Sequence, residues 1–252
     1  LTMLFESGAA PDYFAKEGQH WGTPCYREFL GDTLNPDFLN FWNERIRIAS
    51  NYCDILRLDH FRGIDSPWKW DVKTGKGSFH TGAGLELVNT IKQISSLSIV
   101  AEDLGDLSFG NTRDLLKKSK FPGIKVAAFG LLDPEEEHWP SNWPAHCVGY
   151  SGTHDNESLR KMLAKDEQVN TADIFRRLGA RNVDEACWKI ISATMQSKAD
   201  MVICSFVDFC DKPRYNLPGT VNDENWSVRL TESDLSLEVA EKLREMTIKS
   251  GR

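Results

Sequence analysis

No apolar segment of this 252-residue chain approaches the roughly 20 residues that a helix needs to cross a bilayer, so no such span is predicted. Six cysteines, at positions 25, 53, 147, 187, 204 and 210, show no CxxC spacing. They read as reduced, small apolar core residues of a cytosolic protein. No dense Lys/Arg stripe is present and the formal net charge is −7, which argues against a nucleic-acid or other polyanionic partner. The cluster Lys117, Lys118, Lys120 reads as the solvated end of a helix. There is no internal repeat and no low-complexity tract. The GKG and GAG fragments at 75–77 and 82–84 lack the strand, glycine-rich turn and helix that a phosphate loop needs. Leu1 is not an initiator methionine, and Leu1–Phe5 is too short for a signal peptide. The glycosylation sequons at Asn156 and Asn225 are therefore discounted.

What is present centres on Tyr52–Gly63, YCDILRLDHFRG. Cys53, Ile55, Leu56 and Leu58 read as a buried strand, which ends abruptly in Arg57, Asp59, His60 and Arg62, followed by a permissive Gly63. In open α/β sheets and (β/α) barrels, reactive groups sit at the C-terminal ends of strands. An acid bracketed by arginines there is favoured as a carboxylate. That suits a nucleophile, a metal ligand or one half of a structural ion pair. The pattern recurs. Leu97–Glu102, LSIVAE, ends in Glu102 and Asp103; His146–Asp155, HCVGYSGTHD, ends in His154 and Asp155. Three strand-end acids, spaced by helix-length segments, would give one polar floor if their strands are neighbours.

Along the chain, Leu1–Phe5 reads as the tail of a strand. Gly8–Tyr26, rich in Gly, Pro and aromatics, reads as a lid or binding loop. Its Tyr13, Phe14 and Trp21 suit either core cover or sugar stacking. Asn35–Asn51 is predicted helical, with Asn35 as N-cap, Pro36 at the first turn, and Phe38, Phe41, Trp42, Ile46, Ile48 and Ala49 mostly on one face. Ile64–Gly84 reads as a polar, turn-rich stretch. Helices are expected over Leu85–Ser95, Asn111–Ser119, Asp184–Lys198 and Glu232–Lys249. Strands are expected at Cys53–Leu58, Ile99–Ala101, Lys125–Leu132, Cys147–Tyr150 and Asp200–Phe206. Strand–helix alternation with strands buried on both faces points to an α/β fold with parallel sheet. Strand-end acids without a glycine-rich first turn favour a (β/α)8 TIM barrel over a doubly wound fold. The count, five strands after residue 50 and a stub before it, predicts that only the later part of the barrel is present.

At these residues the chain resembles the 4-alpha-glucanotransferases, amylomaltase or disproportionating enzyme, of glycoside hydrolase family 77 in the alpha-amylase clan. APDYF (Ala10–Phe14) with GQHWGTPCY (Gly18–Tyr26) is similar to the family's lid loop. RLDHFRG (Arg57–Gly63) resembles its nucleophile strand, VAEDLG (Val100–Gly105) its acid/base strand, and FPGIKV (Phe121–Val126) the strand after that. SGTHDN (Ser151–Asn156) resembles the stabilising-acid motif; RYNLPGT and NWSVRL (Arg214–Thr220, Asn225–Leu230) resemble the region after the last strand. The resemblance implies Asp59 as nucleophile, Glu102 as general acid/base and Asp155 as the acid that steadies the transition state. Arg57 and His154 would lie beside the sugar, with Asp12, Tyr13, Phe14, Gln19, Trp21, His60 and Asn216 as further substrate contacts. It implies alpha-1,4-glucans and maltooligosaccharides as substrates, a glucose or glucan acceptor, no cofactor, no metal and a cytoplasmic or plastid location. Three places depart from the family. Phe79–Gly84 lacks a Pro before its second glycine, Ala128 or a neighbour stands where a Gln is usual, and VDFC (Val207–Cys210) replaces a Gln-Asp start. The family's barrel begins upstream of its lid loop, so this span is expected to be the C-terminal part of a longer protein, whose missing N-terminal part would be its partner. A hydrolase of the same clan and an inactive sugar-binding remnant are the competing expectations.

Overall fold

The structure, a computed structural model, describes residues 4–11, 15–94, 97–210, 212–234 and 236–252. Its contacts divide the chain into two compact units, residues 1–123 and 124–252.

The first unit opens with β1 (Phe5–Ala9) and β2 (Gln19–Pro24), then a small hairpin of β3 (Phe29–Leu30) and β4 (Thr33–Leu34). Helix α1 (Pro36–Ala49) starts as the sequence predicts: the Asn35 side chain accepts the Asp37 N–H at 3.0 Å, and Pro36 occupies the first turn. That cap satisfies a donor the helix cannot use internally. Phe38 and Ile46 are buried from α1, whereas Phe41 and Ile48 of the expected face are exposed. Then come β5 (Ile55–Leu58), the one-turn α2 (Arg62–Asp65), β6 (Trp68–Asp71), β7 (Gly77–Phe79), α3 (Gly84–Ile94), β8 (Ser98–Ala101) and α4 (Thr112–Ser119), with β9 (Gly123–Val126) beginning at the unit's last residue. β5 and β8 pair in parallel, Arg57 opposite Val100 and Leu58 opposite Ala101. Beneath them lies a core that includes Leu58, Phe61, Leu87, Val88, Ile91, Ile99 and Phe121. Each such side chain contributes about 1.5–3 kcal/mol by leaving water.

Parallel sheet is not the whole of this unit, contrary to the sequence expectation. β1, β2, β6 and β7 form a four-stranded antiparallel sheet in the order β2-β1-β6-β7. Of the stretch expected to be an irregular loop, residues 8–9 and Gln19–Pro24 are thus strand, and the expected turn-rich stretch supplies the other two strands. Below the hairpin, Lys69 on β6 donates to Glu28 at 2.9 Å, both side chains nearly buried. Removing one member of such a pair strands the other charge, at a cost of roughly 3–5 kcal/mol.

In the second unit, β9 is the edge of a three-stranded sheet ordered β11-β10-β9, with β10 at Cys147–Tyr150 and β11 at Met201–Ile203. β10 and β11 are parallel. The predicted strand Lys125–Leu132 is corrected: β9 stops at Val126 and Ala127–Gly130 turn into the short helix α5. An apolar run buried throughout fits either state, so periodicity cannot place that break. Helices α6 (Leu159–Lys165), α7 (Thr171–Leu178), α8 (Val183–Met195) and α9 (Leu237–Ser250) complete the unit. No helix among the described residues is long and apolar enough to cross a membrane.

β10 feeds the His154–Asp155 loop, and its Gly149 lies against the buried Trp143 indole. A Cβ there would come within 2.2 Å of the ring. Trp143 cannot step aside, because its Nε1–H donates to the His138 carbonyl at 2.8 Å. Gly149→Ala is therefore expected to destabilise by about 1–3 kcal/mol through overpacking. Thermal unfolding measures this; an unchanged melting temperature would show that the Trp143 pocket is loose.

Candidate active site

Two clusters of candidate residues form, one in each unit. In the first, the parallel register of β5 and β8 carries past the strand ends. Glu102 N–H donates to the Leu58 carbonyl and Phe61 N–H to the Glu102 carbonyl, each at 2.9 Å. Asp59 and His60 are thereby held next to Glu102. Asp59 Oδ1 lies 2.5 Å from the Arg57 guanidinium, and 74% of the Asp59 side chain is open to solvent. An exposed pair like this contributes little stability. Its consequence is chemical, an accessible carboxylate with fixed orientation.

Glu102 is treated differently. It is half-buried, and its oxygens accept two main-chain donors, His60 N–H at 2.7 Å on Oε2 and Leu104 N–H at 2.9 Å on Oε1. Burial pushes its carboxyl above the usual range; the two N–H groups pull back, and the Asp59 charge adds to the rise. Two neighbouring carboxyls with opposed environments are the arrangement that separates an ionised group from a protonated one.

His60 makes the hydrogen bond to Glu102 from a left-handed backbone, φ 48°. Few non-glycine residues adopt that region, and such outliers gather at functional sites. Its ring lies against Gly63, where a Cβ would meet it at 2.9 Å. Burial drives the imidazole pKa down to about 4, with Asp59 opposing and Arg62 adding to the fall. Trp21 on β2 meets the His60 ring edge-on at 4.8 Å, and its Nε1–H donates to Gln19 Oε1 at 3.1 Å. Gln19 and Trp21 are thus joined to the Asp59 cluster through His60. Asp12, Tyr13 and Phe14, also expected here, lie outside the described residues.

Arg62 does not bracket Asp59 with Arg57, as its spacing suggested. It donates to the Asp106 and Phe109 carbonyls and lies over the Phe79 ring at 4.5 Å. Asp65, one turn on, accepts from Asn111 N–H at 2.7 Å and the Thr112 hydroxyl at 3.0 Å. Helix α2 thus fastens the loop that follows Glu102. Asp65 was not singled out from sequence, and its partners lie more than 40 residues away.

In the second cluster, Asp155 Oδ1 accepts from Asn216 Nδ2 at 2.7 Å and lies 3.3 Å from His154 Nε2. Asn216 N–H donates to the His154 carbonyl at 3.0 Å. These three predicted residues are brought together. Two others join them unannounced. Trp226, itself left-handed at φ 63°, stacks on the His154 ring at 5.3 Å. Glu157 accepts the Arg214 N–H at 3.2 Å and so ties down the segment that carries Asn216. The acid directly after the THDN run was the only sequence signal for Glu157. Among the described residues, no group of three or more His, Cys, Asp or Glu is arranged to hold a metal ion.

The sequence model of one family, described as 4-alpha-glucanotransferase, matches residues 1–235. The chain belongs to the 4-alpha-glucanotransferase family. Within it, the chain is 33% identical to a 4-alpha-glucanotransferase of Clostridium butyricum, over all of this chain and 53% of that protein. It is 31% identical to a chloroplastic/amyloplastic 4-alpha-glucanotransferase of Arabidopsis thaliana, over 99% of this chain and 44% of the plant protein. Among solved structures, an amylomaltase from Streptococcus agalactiae in complex with acarbose superposes with a TM-score of 0.87 at 28% identity, covering 99% of this chain and 51% of that one. The chain thus spans about half the length of the curated 4-alpha-glucanotransferases it matches.

The His60 environment is directly measurable. A group with a folded pKa of about 4 against an ordinary value near 6.5 refuses a proton that the unfolded chain accepts. His60 therefore withdraws stability as pH falls from about 6.5 towards 4, and has no effect above that window. NMR titration of its ring should show no change between pH 5 and 8. A midpoint near 6.5 would mean that the ring is solvated.

Proposed function

We propose that the protein carrying this chain transfers alpha-1,4-glucan segments between maltooligosaccharides by a retaining double displacement. The observation that carries the reading is the unequal carboxyl pair: Asp59 exposed beside Arg57, and Glu102 half-buried with its carboxyl raised. Retaining enzymes that cleave glycosides need one carboxylate to attack and one carboxyl to donate. In the first step Asp59 attacks the anomeric carbon while Glu102 gives its proton to the departing glycosidic oxygen. A glycosyl ester on Asp59 and a free 4-hydroxyl result. In the second, ionised Glu102 takes the proton of an acceptor 4-hydroxyl, which attacks the anomeric carbon and releases Asp59. Asp155, with Asn216 and His154, binds sugar hydroxyls and steadies the transition state. Tyr13, Phe14 and Trp21, in the lid loop at 8–26, would cover acceptor sugars and keep water from the ester, with Arg57 beside the sugar and Asp12, Gln19 and His60 as further substrate contacts.

The same reading takes residues 1–252 as the C-terminal part of one (β/α)8 barrel, with alpha-1,4-glucans as substrates and the rest of the protein as partner. Three observations support it. Ala101 N–H donates to the Pro122 carbonyl at 2.9 Å, which links β8 to the chain entering β9. Among the described residues, β5 pairs on one side only, with β8, and β11 on one side only, with β10. Apolar side chains at those free edges are open to solvent: Ile55 at 42%, Met201 at 37% and Ile203 at 43%. Edges of this kind normally pair, and a barrel pairs them all.

The test is to incubate maltotriose with the complete protein. Transfer gives glucose and longer maltooligosaccharides, and Asp59→Ala should lower it by on the order of 10³-fold or more without unfolding the protein. Glucose and maltose alone would replace transfer by hydrolysis. Wild-type transfer that survives Asp59→Ala would remove Asp59 as nucleophile.

A further inference from the structure

Asp208 is among the most buried charged residues of the second unit, 3% exposed, and plays no part in the site above. It lies in the short 3-10 turn Phe206–Asp208 that follows β11. Its two oxygens have separate partners. Oδ2 accepts the Ser151 hydroxyl at 2.6 Å, and Oδ1 accepts the Leu159 N–H at 2.9 Å. Ser151 and Leu159 are the two ends of the loop that carries His154 and Asp155.

The loop between those ends is stiff. Thr153 donates from both its N–H and its hydroxyl to Asn156 Oδ1, each at 2.9 Å, and Asp155 N–H donates to the Thr153 hydroxyl at 3.3 Å. A stiff turn cannot absorb a shift at its ends, so displacement of either end moves Asp155. Ser151 is anchored on every side: its N–H donates to the Ile203 carbonyl, its carbonyl accepts from Ala128, and its hydroxyl accepts the Ser205 N–H at 2.8 Å. Helix α6 has its own cap, since the Ser158 hydroxyl accepts the Lys161 N–H. Asp208 therefore does more than cap α6. A neutral amide would match its place poorly, because its NH₂ would face either the Leu159 N–H, donor against donor, or the Ser151 hydroxyl, whose own proton would then lose its acceptor.

We propose that Asp208 is the positioning residue of Asp155, its single buried carboxylate fastening both ends of loop 151–159 and so fixing where the Asp155 carboxyl is presented. This rests on the role given to Asp155 above. An acid that steadies a transition state contributes mainly to kcat, so mispositioning it lowers kcat and leaves KM nearly unchanged.

The experiment measures maltotriose transfer and melting temperature in the full-length protein for Asp208→Asn, Ser151→Ala, Ser158→Ala, Asp155→Asn and the Asp208→Asn/Asp155→Asn double variant. Asp208→Asn should lower kcat by on the order of 10–100-fold, with KM within about twofold. Ser151→Ala, which removes one leg together with the acceptor of the Ser205 N–H, should lower kcat by roughly 3–10-fold and serves in its place if Asp208→Asn fails to fold. Ser158→Ala weakens the α6 cap without touching either leg, so it should lower the melting temperature and spare kcat. In the Asp155→Asn background Asp208→Asn should cost almost nothing further, the mark of a residue acting through Asp155. An unchanged kcat in Asp208→Asn or Ser151→Ala overturns the proposal, as does a loss that persists in full in the Asp155→Asn background. If Asp155→Asn itself transfers normally, the Asp155 role falls and takes this proposal with it. If Asp155→Asn is inactive while Asp208→Asn is normal, only this proposal falls.

Discussion

A hydrogen bond of 2.7 Å from the His60 N–H to the Glu102 carboxyl is the contact on which the first cluster depends. It exists only because His60 takes a left-handed backbone just past the end of β5, and because β5 and β8 are in parallel register. A one-residue slip would send every side chain of a strand to its other face. Here it would part Asp59 from Glu102 and take the His60 N–H away from a half-buried carboxyl. The cost of desolvating that carboxyl is what raises its pKa, and the two main-chain donors offset part of it while fixing its direction. Burial supplies the chemistry; the backbone supplies the aim.

The second unit solves a similar problem with side chains. Asp155 is half open, held by Asn216 and by His154, with Trp226 stacked on the latter. Each of these neighbours is secured from behind. Glu157 grips the Arg214 backbone, and Asp208 grips both ends of the loop. Polar groups held this firmly cost folding free energy in desolvation, and full satisfaction of their hydrogen bonds is what makes them tolerable. On the proposed reading, these residues would hold an acid at a fixed point beside a sugar whose charge develops only in passing.

Much of this was legible in the sequence, for particular reasons. α1 was readable because Asn35, Pro36 and the spacing of Phe38 and Ile46 all agree on one helix. The strand-end acids stood out because an apolar run breaks straight into charge at Asp59 and Glu102, and a short polar turn after Cys147–Tyr150 leads to Asp155. The antiparallel sheet escaped because its strands, such as WKWD at 68–71 and GSF at 77–79, are short and rich in Trp and Gly, without clear alternation. α5 escaped because AAFG is apolar on every side. Arg62 was misassigned because spacing alone cannot say that its guanidinium turns to carbonyls 44 and 47 residues away. Asp208 and Glu157 act across 49 to 57 residues of sequence, and no local pattern announces such partners.

The central claim is the division of labour between Asp59 and Glu102, and trapping the covalent intermediate tests it most directly. In the full-length Glu102→Gln variant, an alpha-maltosyl fluoride donor needs no proton to lose its leaving group, so the first step should proceed while the second stalls. Mass spectrometry of the digested protein should then find the maltosyl group on the peptide that contains Asp59, and on no other. A label on position 102 of the parent enzyme, or on any carboxylate other than Asp59 in the variant, would contradict the account.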